Sequence, residues 1–576
     1  MRSQARDEIH GLDPVTEPGI GRIGRSDVLA LAALTALGVG LPLWMALTAG
    51  AVGIPSNDDW VYMRAASSLY ANGIVDMAGH TASVVGQLVL VQPILWLAGG
   101  NTWAFMAFGL CSALLGIAAG YLLARRFVGT GAAIMVVLLI EVFPGFARES
   151  VGFMTDVPAF SLGLVCLLLG TKWLQEGGSR LTLAASIGVG LLAVSVREFA
   201  IAAPVAILVA AWARNRAHER PLLIGLSGML VAGIAGLTAV AASTAGHATP
   251  SPRPDHLLFI GPAFTTFAAA VLPATLLYVG RRMTTLTAQQ MLLGAGLACV
   301  VVIQPDGSLV GNLWTADGSL GNQVLNGFRY PVIGAVSWAL SLQIALFAGI
   351  LVAALVIQWA QSNLSGRKSF TRFWEVALRV ARRSEAPLVV FLVVYAAELV
   401  VFASLGTLFD RYLYPIIPVA AILLLRTPDR RPFQLTRSHA FSHLAVAWLA
   451  ISAFLLAANS FAYDAARYRE GSDAVAMGYR ANTIDAGYEW VGSHATDPPT
   501  PGAVLHGWMW YDEVLASSQP CAVVSNGPSK DDAMTLIRVK PDAYRQYLWF
   551  GPAQSLYLYG VPAAGCPMRP VSPPSQ

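Results

Sequence analysis

The ten residues from Pro55 to Arg64 place two adjacent carboxylates, Asp58 and Asp59, beside Trp60, Tyr62 and Arg64. Only 12% of the chain is charged, so such a cluster just after a long apolar segment needs a reason. Ser56 or Asn57 can cap a helix, and the two acids then fall in its first turn, where the dipole favours negative charge. A carboxylate in this position can also take a proton from a hydroxyl or ligate a metal. On this stretch alone both readings are open.

Comparable groups recur along the chain. Arg148-Glu149 precedes Met154-Thr155-Asp156-Val157-Pro158, Arg197-Glu198 falls in a tight turn between apolar segments, and Arg329-Tyr330-Pro331 and Asp410-Arg411-Tyr412 each open one. Singly, each is explained by a local ion pair, an aromatic contact or a cap; Thr155 and Asp156 ahead of Pro158 read well as a helix start. Together they describe a site. Guanidinium groups bind phosphate through paired, charge-assisted hydrogen bonds, and carboxylates beside them serve as base or metal ligand. A phosphate-bearing lipid fits that combination, with its tail between helices and its head among the loop residues. Trp60, Tyr62 and His80 either line that site or belong to an interfacial aromatic belt.

The elements that must position these groups are membrane helices. The 576 residues are 55% hydrophobic with a mean hydropathy of +0.58, far above a soluble domain. The apolar runs have helical rather than barrel-strand length, which predicts an all-α polytopic bundle. The net charge of +4 suggests no nucleic-acid partner. Spans are expected at 28–49, 102–124, 131–146, 157–174, 181–197, 199–213, 221–243, 257–279, 288–303, 331–359, 386–405, 412–426 and 441–459, about thirteen helices in all. Segment 84–98 is apolar but short and contains Gln87, Gln92 and Pro93, so it reads as re-entrant or interfacial.

If 84–98 does not cross, most of the 37 basic residues collect on one side, and only Arg64, Arg148, Arg197, Arg253, Arg329 and Arg411 face the other before residue 460. That distribution obeys the positive-inside rule; a crossing at 84–98 would invert it. The expected organisation is a cytoplasmic disordered tail at 1–27 and a transmembrane domain at 28–459. Its first outer loop, 50–101, carries surface helices at 58–72 and 84–98. A small mixed outer domain follows at 460–576. In that domain Cys521 and Cys566 can form one disulfide if the compartment is oxidising. Trp508, Trp510 and Tyr511 there fit either an acceptor contact or a small aromatic core.

These motifs resemble the GT-C membrane glycosyltransferases, specifically the bacterial relatives of protein O-mannosyltransferases and of the aminoarabinose transferase. The similarity lies in Asn57-Asp58-Asp59-Trp60 after the first span, the two surface helices, Thr155-Asp156-Val157-Pro158, Arg197-Glu198, and Arg411-Tyr412-Leu413-Tyr414-Pro415. It covers residues 28–460; the acidic motif is Asp-Asp where many relatives have Asp-Glu. The resemblance implies a multi-pass protein of the cell membrane that moves a sugar from a polyprenyl-phosphate donor to an acceptor hydroxyl on the outer face. The acceptor is a lipid, a glycan or a protein. It places catalysis on Asp58, with Asp59 adjacent, and on Asp156. Arg64, His80, Arg148, Glu149, Arg197, Glu198, Arg329, Arg411 and Tyr412 are the candidates for substrate binding. A divalent cation, Mg or Mn, on Asp58 and Asp156 is compatible with it. The competing expectation is a transporter or flippase of a lipid-linked sugar, whose ionic groups would sit near the midplane.

Overall fold

The computed structural model describes residues 23–75, 84–214, 219–244, 252–282, 286–302, 309–316, 332–364, 384–406, 408–426, 437–495, 520–529, 531–562 and 566. His80, Arg329, Trp508, Trp510 and Tyr511 lie outside them.

The chain is mostly helical. Its long apolar helices are α1 (Arg25–Ala49, with a π-helical turn at Ala36–Gly40), α4 (Trp103–Arg125), α7 (Asp156–Glu176), α10 (Arg220–Thr244), α11 (Ile260–Arg282), α13 (Ala335–Leu364), α14 (Ala386–Ser404) and α16 (Arg437–Ala476). These eight are long and apolar enough to cross a membrane. The shorter helices α5 (Thr130–Glu141), α8 (Arg180–Val196), α9 (Ala202–Arg214), α12 (Ala288–Val302) and α15 (Ile416–Leu425) complete the bundle, and a single turn, α6 (Phe146–Glu149), precedes α7. Each of the thirteen expected apolar segments is therefore helical. Small residues bring the helices close. A Cβ on Gly116 of α4 would sit 2.4 Å from the Ser161 hydroxyl of α7, and one on Gly190 of α8 would sit 2.8 Å from Pro204 of α9.

Two helices lie between α1 and α4: α2 (Asp59–Asn72) and α3 (Val85–Leu97). At about 1.5 Å per residue the 13-residue α3, which carries Pro93 inside it, is some 20 Å long. It packs on α2, α4 and α8, and Gln87 donates a 2.7 Å hydrogen bond to the Phe153 carbonyl before α7. The end of α1, the start of α7, the end of α8 and the start of α15 share one end of the bundle. The contacts described below require this arrangement, because they join those four helix ends directly.

The C-terminal part is built onto α16. This 40-residue helix runs unbroken through Asn459, so the boundary expected there falls inside a rigid rod rather than a linker. Beyond it come β1 (Ile484–Asp485), the short helix α17 (Tyr488–His494), β2 (Ala522–Ser525), β3 (Thr535–Arg545) and β4 (Ala553–Gly560). They form a sheet of order β1-β2-β4-β3, parallel at its first pair and antiparallel otherwise. One face of the sheet packs on α16 through Tyr463, Ala466, Ala474, Leu556 and Leu558. Arg538 and Lys540 of β3 bind Glu470 and Asp473 of the same helix. Cys521 and Cys566 are joined in a disulfide.

Candidate active site

Helix α1 ends where Gly50 takes a left-handed backbone (φ 71°). The chain then turns, with Asn57 also left-handed (φ 53°), a conformation asparagine tolerates better than most residues. This delivers Asp58 to the N-cap position of α2 and Asp59 to its first turn. The two acids then diverge. Asp59 is 1% exposed and accepts the Ser56 N–H at 3.3 Å, so it is the residue that secures the helix start. Burial, partly offset by the Arg148 guanidinium, raises its carboxyl to about 7. Asp58 makes no capping hydrogen bond, although it occupies the cap position. Its side chain remains 24% exposed and points to other parts of the chain. Tyr488 Oη donates to Asp58 Oδ1 at 3.0 Å, and Arg411 Nη2 lies 3.6 Å from Oδ2. Capping thus accounts for Asp59 and leaves Asp58 unexplained by local structure.

Asp156 repeats the pattern. It is fully buried in the first turn of α7, whose N-cap Thr155 makes no capping hydrogen bond. Neither Asp156 oxygen has a hydrogen-bond donor among the described residues, and its nearest cation is Arg411, with Nε 3.9 Å from Oδ1. Arg411 therefore bridges two carboxylates that lie far from it in the sequence.

A tight turn at Asp410–Leu413 holds Arg411 in place. Asp410 accepts N–H groups from Leu313, Trp314 and Arg411, at 2.9, 2.5 and 2.8 Å, which staples the turn to the loop at 309–316. Burial raises the Asp410 carboxyl to about 7 against those donors. The Arg411 guanidinium also lies 5.0 Å from the Phe409 ring and 5.7 Å from that of Tyr412. Its Nε and Nη1 make no hydrogen bonds among the described residues.

Arg197, at the end of α8, is the second buried cation. It donates to Tyr62 Oη at 3.3 Å and to Tyr412 Oη at 2.7 Å, and its charge lies 5.5 Å from the Tyr412 ring. Tyr412 is in turn fixed by Tyr395, whose hydroxyl donates to the Tyr412 carbonyl at 2.6 Å. Both direct partners of Arg197 are neutral phenols. The guanidinium is 8% exposed and has no ion-pair partner within 4 Å among the described residues, although the carboxylates of Asp156 and Glu198 act on its charge from farther away.

The other expected site residues divide. Glu149 is 2% exposed beside the cluster, with neither oxygen hydrogen-bonded among the described residues; burial first, then the neighbouring Asp156, raises its carboxyl well above the usual range. Arg148 turns away to α16, where it pairs with Asp464 at 3.1 Å and donates to Ser460 at 3.3 Å. Arg64 donates to the Ala495 carbonyl at 3.0 Å, after α17. Glu198 is exposed. Asp58, Asp156, Glu149, Arg197, Arg411 and Tyr412, with Asp59 beneath them, make up the cluster.

Sequence reasoning missed the contribution of the C-terminal part. Besides Tyr488 on Asp58, Glu489 accepts the Asn57 N–H at 2.8 Å and pairs with Arg467 of α16 at 2.8 Å; Arg467 also pairs with Asp464. The Tyr-Glu-Trp run at 488–490 was the available signal, an acid flanked by aromatics in a polar region. Nothing local to that run pointed to partners some 430 residues away.

As metal ligands, Asp58 and Asp156 are separated by a guanidinium, which occupies the place between them where a cation would sit. No group of three or more His, Cys, Asp or Glu among the described residues is disposed to hold a metal. In this arrangement the two carboxylates are engaged by Arg411, and a divalent cation on both would have to displace that guanidinium.

No family model and no curated protein matches the chain. Among solved structures, it is similar to ArnT from Cupriavidus metallidurans bound to undecaprenyl phosphate, at 12% identity and a TM-score of 0.40, covering 94% of this chain and 99% of that one. It is also similar to the oligosaccharyltransferase of Archaeoglobus fulgidus in the apo form, at 13% identity and a TM-score of 0.38, covering 78% of this chain and 59% of that one. Both are GT-C glycosyltransferases, the group that the motifs resemble. At these scores the likeness carries neither substrate nor reaction to this chain.

Proposed function

We propose that this protein is a membrane glycosyltransferase that moves a sugar from a polyprenyl-phosphate donor to an acceptor hydroxyl on the outer face of the membrane. The observation that carries the reading is the ion pair of a partly exposed carboxylate, Asp58, with the buried Arg411 guanidinium, beside a second buried guanidinium, Arg197, that shares the Tyr412 ring with it, at one end of an apolar helical bundle. Arg197 lacks an ion-pair partner among the described residues, and Arg411 keeps two donor nitrogens unused there. A phosphate monoester or diester supplies what both need: negative charge and several acceptor oxygens.

In this reading Asp58 Oδ2 or Oδ1 takes the proton of the acceptor hydroxyl as its oxygen bonds to the anomeric carbon. The bond from that carbon to the phosphate oxygen breaks, and the electron pair leaves with the lipid phosphate. The transition state is oxocarbenium-like, as in glycoside hydrolysis. Charge growing on the phosphate is met by Arg197 and Arg411, already fixed by their tyrosine and carboxylate partners, so little reorganisation accompanies reaction. Asp156 and Tyr412 act by holding those guanidinium groups in place. The ionic groups gather at helix ends, not at helix midpoints, which favours transfer over the transporter reading.

The test is Asp58→Asn, an almost isosteric change at a partly exposed position. Transfer should fall by about a hundredfold or more while protein yield and donor binding persist. The lipid-linked sugar should accumulate in membranes analysed by mass spectrometry. Full transfer by Asp58→Asn would remove Asp58 as the base.

A further inference from the structure

The loop joining β3 to β4 presents an aromatic tip. Tyr547 and Leu548 both adopt left-handed backbone conformations, with φ of 55° and 66°, and Gly551 closes the loop by donating to the Gln546 carbonyl at 2.9 Å. Non-glycine residues are uncommon in that region, and two in succession mark a backbone held in an unusual shape. Leu548 packs inward, against apolar residues of α1 and α16, while Trp549 and Phe550 project outward. Phe550 is 85% exposed and Trp549 45%.

The neighbour of this tip is a membrane span. Trp549 lies against Trp44 of α1, with ring centroids 4.7 Å apart. Trp44 precedes the end of α1 at Ala49 by five residues, about 7.5 Å along the helix axis. The end itself is tied to α16, since Arg469 donates to the Ala49 carbonyl at 3.2 Å. Trp44 and Leu47 are exposed on the same helix, 47% and 59%, as residues facing lipid are. A tryptophan one to two turns inside the end of a span sits at the headgroup–acyl boundary. The tip is continuous with that surface.

We propose that the β3–β4 tip, Trp549 and Phe550, inserts into the bilayer interface beside Trp44. The C-terminal sheet is then anchored to the membrane at two points, through α16 and through this loop. The occupant is lipid: the tip abuts a span, carries no charge at Trp549 or Phe550, and extends an apolar surface already committed to the bilayer. An anchored sheet keeps α17, and with it Tyr488, at a fixed height above the membrane. The proposal is independent of the glycosyltransferase reading.

The experiment is site-directed spin labelling of the full chain in vesicles of phosphatidylcholine and phosphatidylglycerol. Phe550→Cys is introduced with Cys111, Cys166 and Cys299 replaced by Ala, and the Cys521–Cys566 disulfide is retained. Trp44→Cys serves as the lipid-facing control and Ala533→Cys, an exposed position just before β3, as the aqueous one. The label at 550 should collide more often with oxygen than with a water-soluble nickel chelate, in a ratio nearer to that at 44 than to that at 533. A ratio nearer to that at 533 would overturn the proposal. As a second measurement, lipids brominated near the headgroup should quench a bimane label at 550 about twofold or more relative to one at 533, as expected for a group at the interface. Equal quenching would count against it.

Discussion

The hydroxyl of Tyr488 donates to Asp58 Oδ1 at 3.0 Å, a contact between residues 430 positions apart. It makes the C-terminal part of the chain a wall of the site. Asp58 thereby has one oxygen held by a phenol and the other beside the Arg411 guanidinium, which fixes the plane of its carboxylate.

The first prediction concerns that bond. Tyr488→Phe removes only the hydroxyl, and a hydrogen bond to a charged group is worth about 1.5–3 kcal/mol. Transfer should slow by roughly ten- to a hundredfold in kcat, with little change in KM for the donor, because Tyr488 touches the base rather than the phosphate-binding arginines. Steady-state kinetics with a lipid-linked sugar would check it. A rise in KM at unchanged kcat would instead put Tyr488 on the donor.

Arg197 should behave in the opposite way. Arg197→Lys keeps the charge but loses the planar fork that reaches both Tyr62 and Tyr412. Affinity for polyprenyl phosphate itself, without a sugar, should fall by about tenfold or more, and Arg197→Ala should weaken it further. Binding measured by calorimetry or by competition in detergent would report this. Undiminished binding by Arg197→Ala would remove the guanidinium from the phosphate site.

Much of this arrangement was legible from sequence, for identifiable reasons. Apolar runs of helical length located the helices, because a bilayer leaves the backbone no other solution there, although among the described residues only eight are long and apolar enough to cross. Charge asymmetry argued that α3 does not cross, and the meeting of Asp58, Asp156 and Arg411 depends on that parity. What stayed hidden was the division of labour within pairs of neighbours. Asp58 and Asp59 are adjacent, yet one is partly exposed in the site and the other is buried beneath it. Arg148 and Glu149 likewise turn to different surroundings. Helix rotation decides such cases, and it is fixed by packing partners that are remote in sequence. Tyr488 and Glu489 were missed for the same reason.

Asp59 predicts a pH dependence of stability. Its carboxyl is raised from an ordinary value of 3.8 to about 7 in the folded protein, chiefly by burial. Between those values the folded state binds a proton that the unfolded chain has released, so stability falls as pH rises through this window and levels off above about 7. The full effect is on the order of 4 kcal/mol. Asp59→Asn removes the titrating group. Its thermal midpoint in detergent, relative to the parent, should therefore improve progressively from about pH 4.5 to about pH 7.5. Parallel curves for the two proteins would contradict the assignment.

The last prediction tests how the loop that carries Asp156 is seated. Gly109 of α4 lies so close to that loop that a Cβ there would stand 2.2 Å from the Gly152 carbonyl oxygen and 3.2 Å from that of Ser150. Both obstacles are backbone, so no side-chain rotation can relieve them. Gly152 in turn faces Asp59, whose Oδ2 would be 2.9 Å from a Cβ built on it. The loop is thus held between α4 and the start of α2, and from Gly152 it runs through Phe153 and Met154 into Thr155 and Asp156. Gly109→Ala should push the loop outward, move Asp156 away from Arg411 and cost about 1–3 kcal/mol of stability through overpacking. Activity should drop more than that loss of folded protein explains, since a misplacement of about 1 Å within such a site costs on the order of a hundredfold. Gly188→Ala, within α8 at a glycine whose Cβ would meet nothing within 4 Å, is the control and should cost no stability and leave activity per folded molecule unchanged. Comparing specific activity per folded molecule for the two variants separates a seated loop from a merely crowded one.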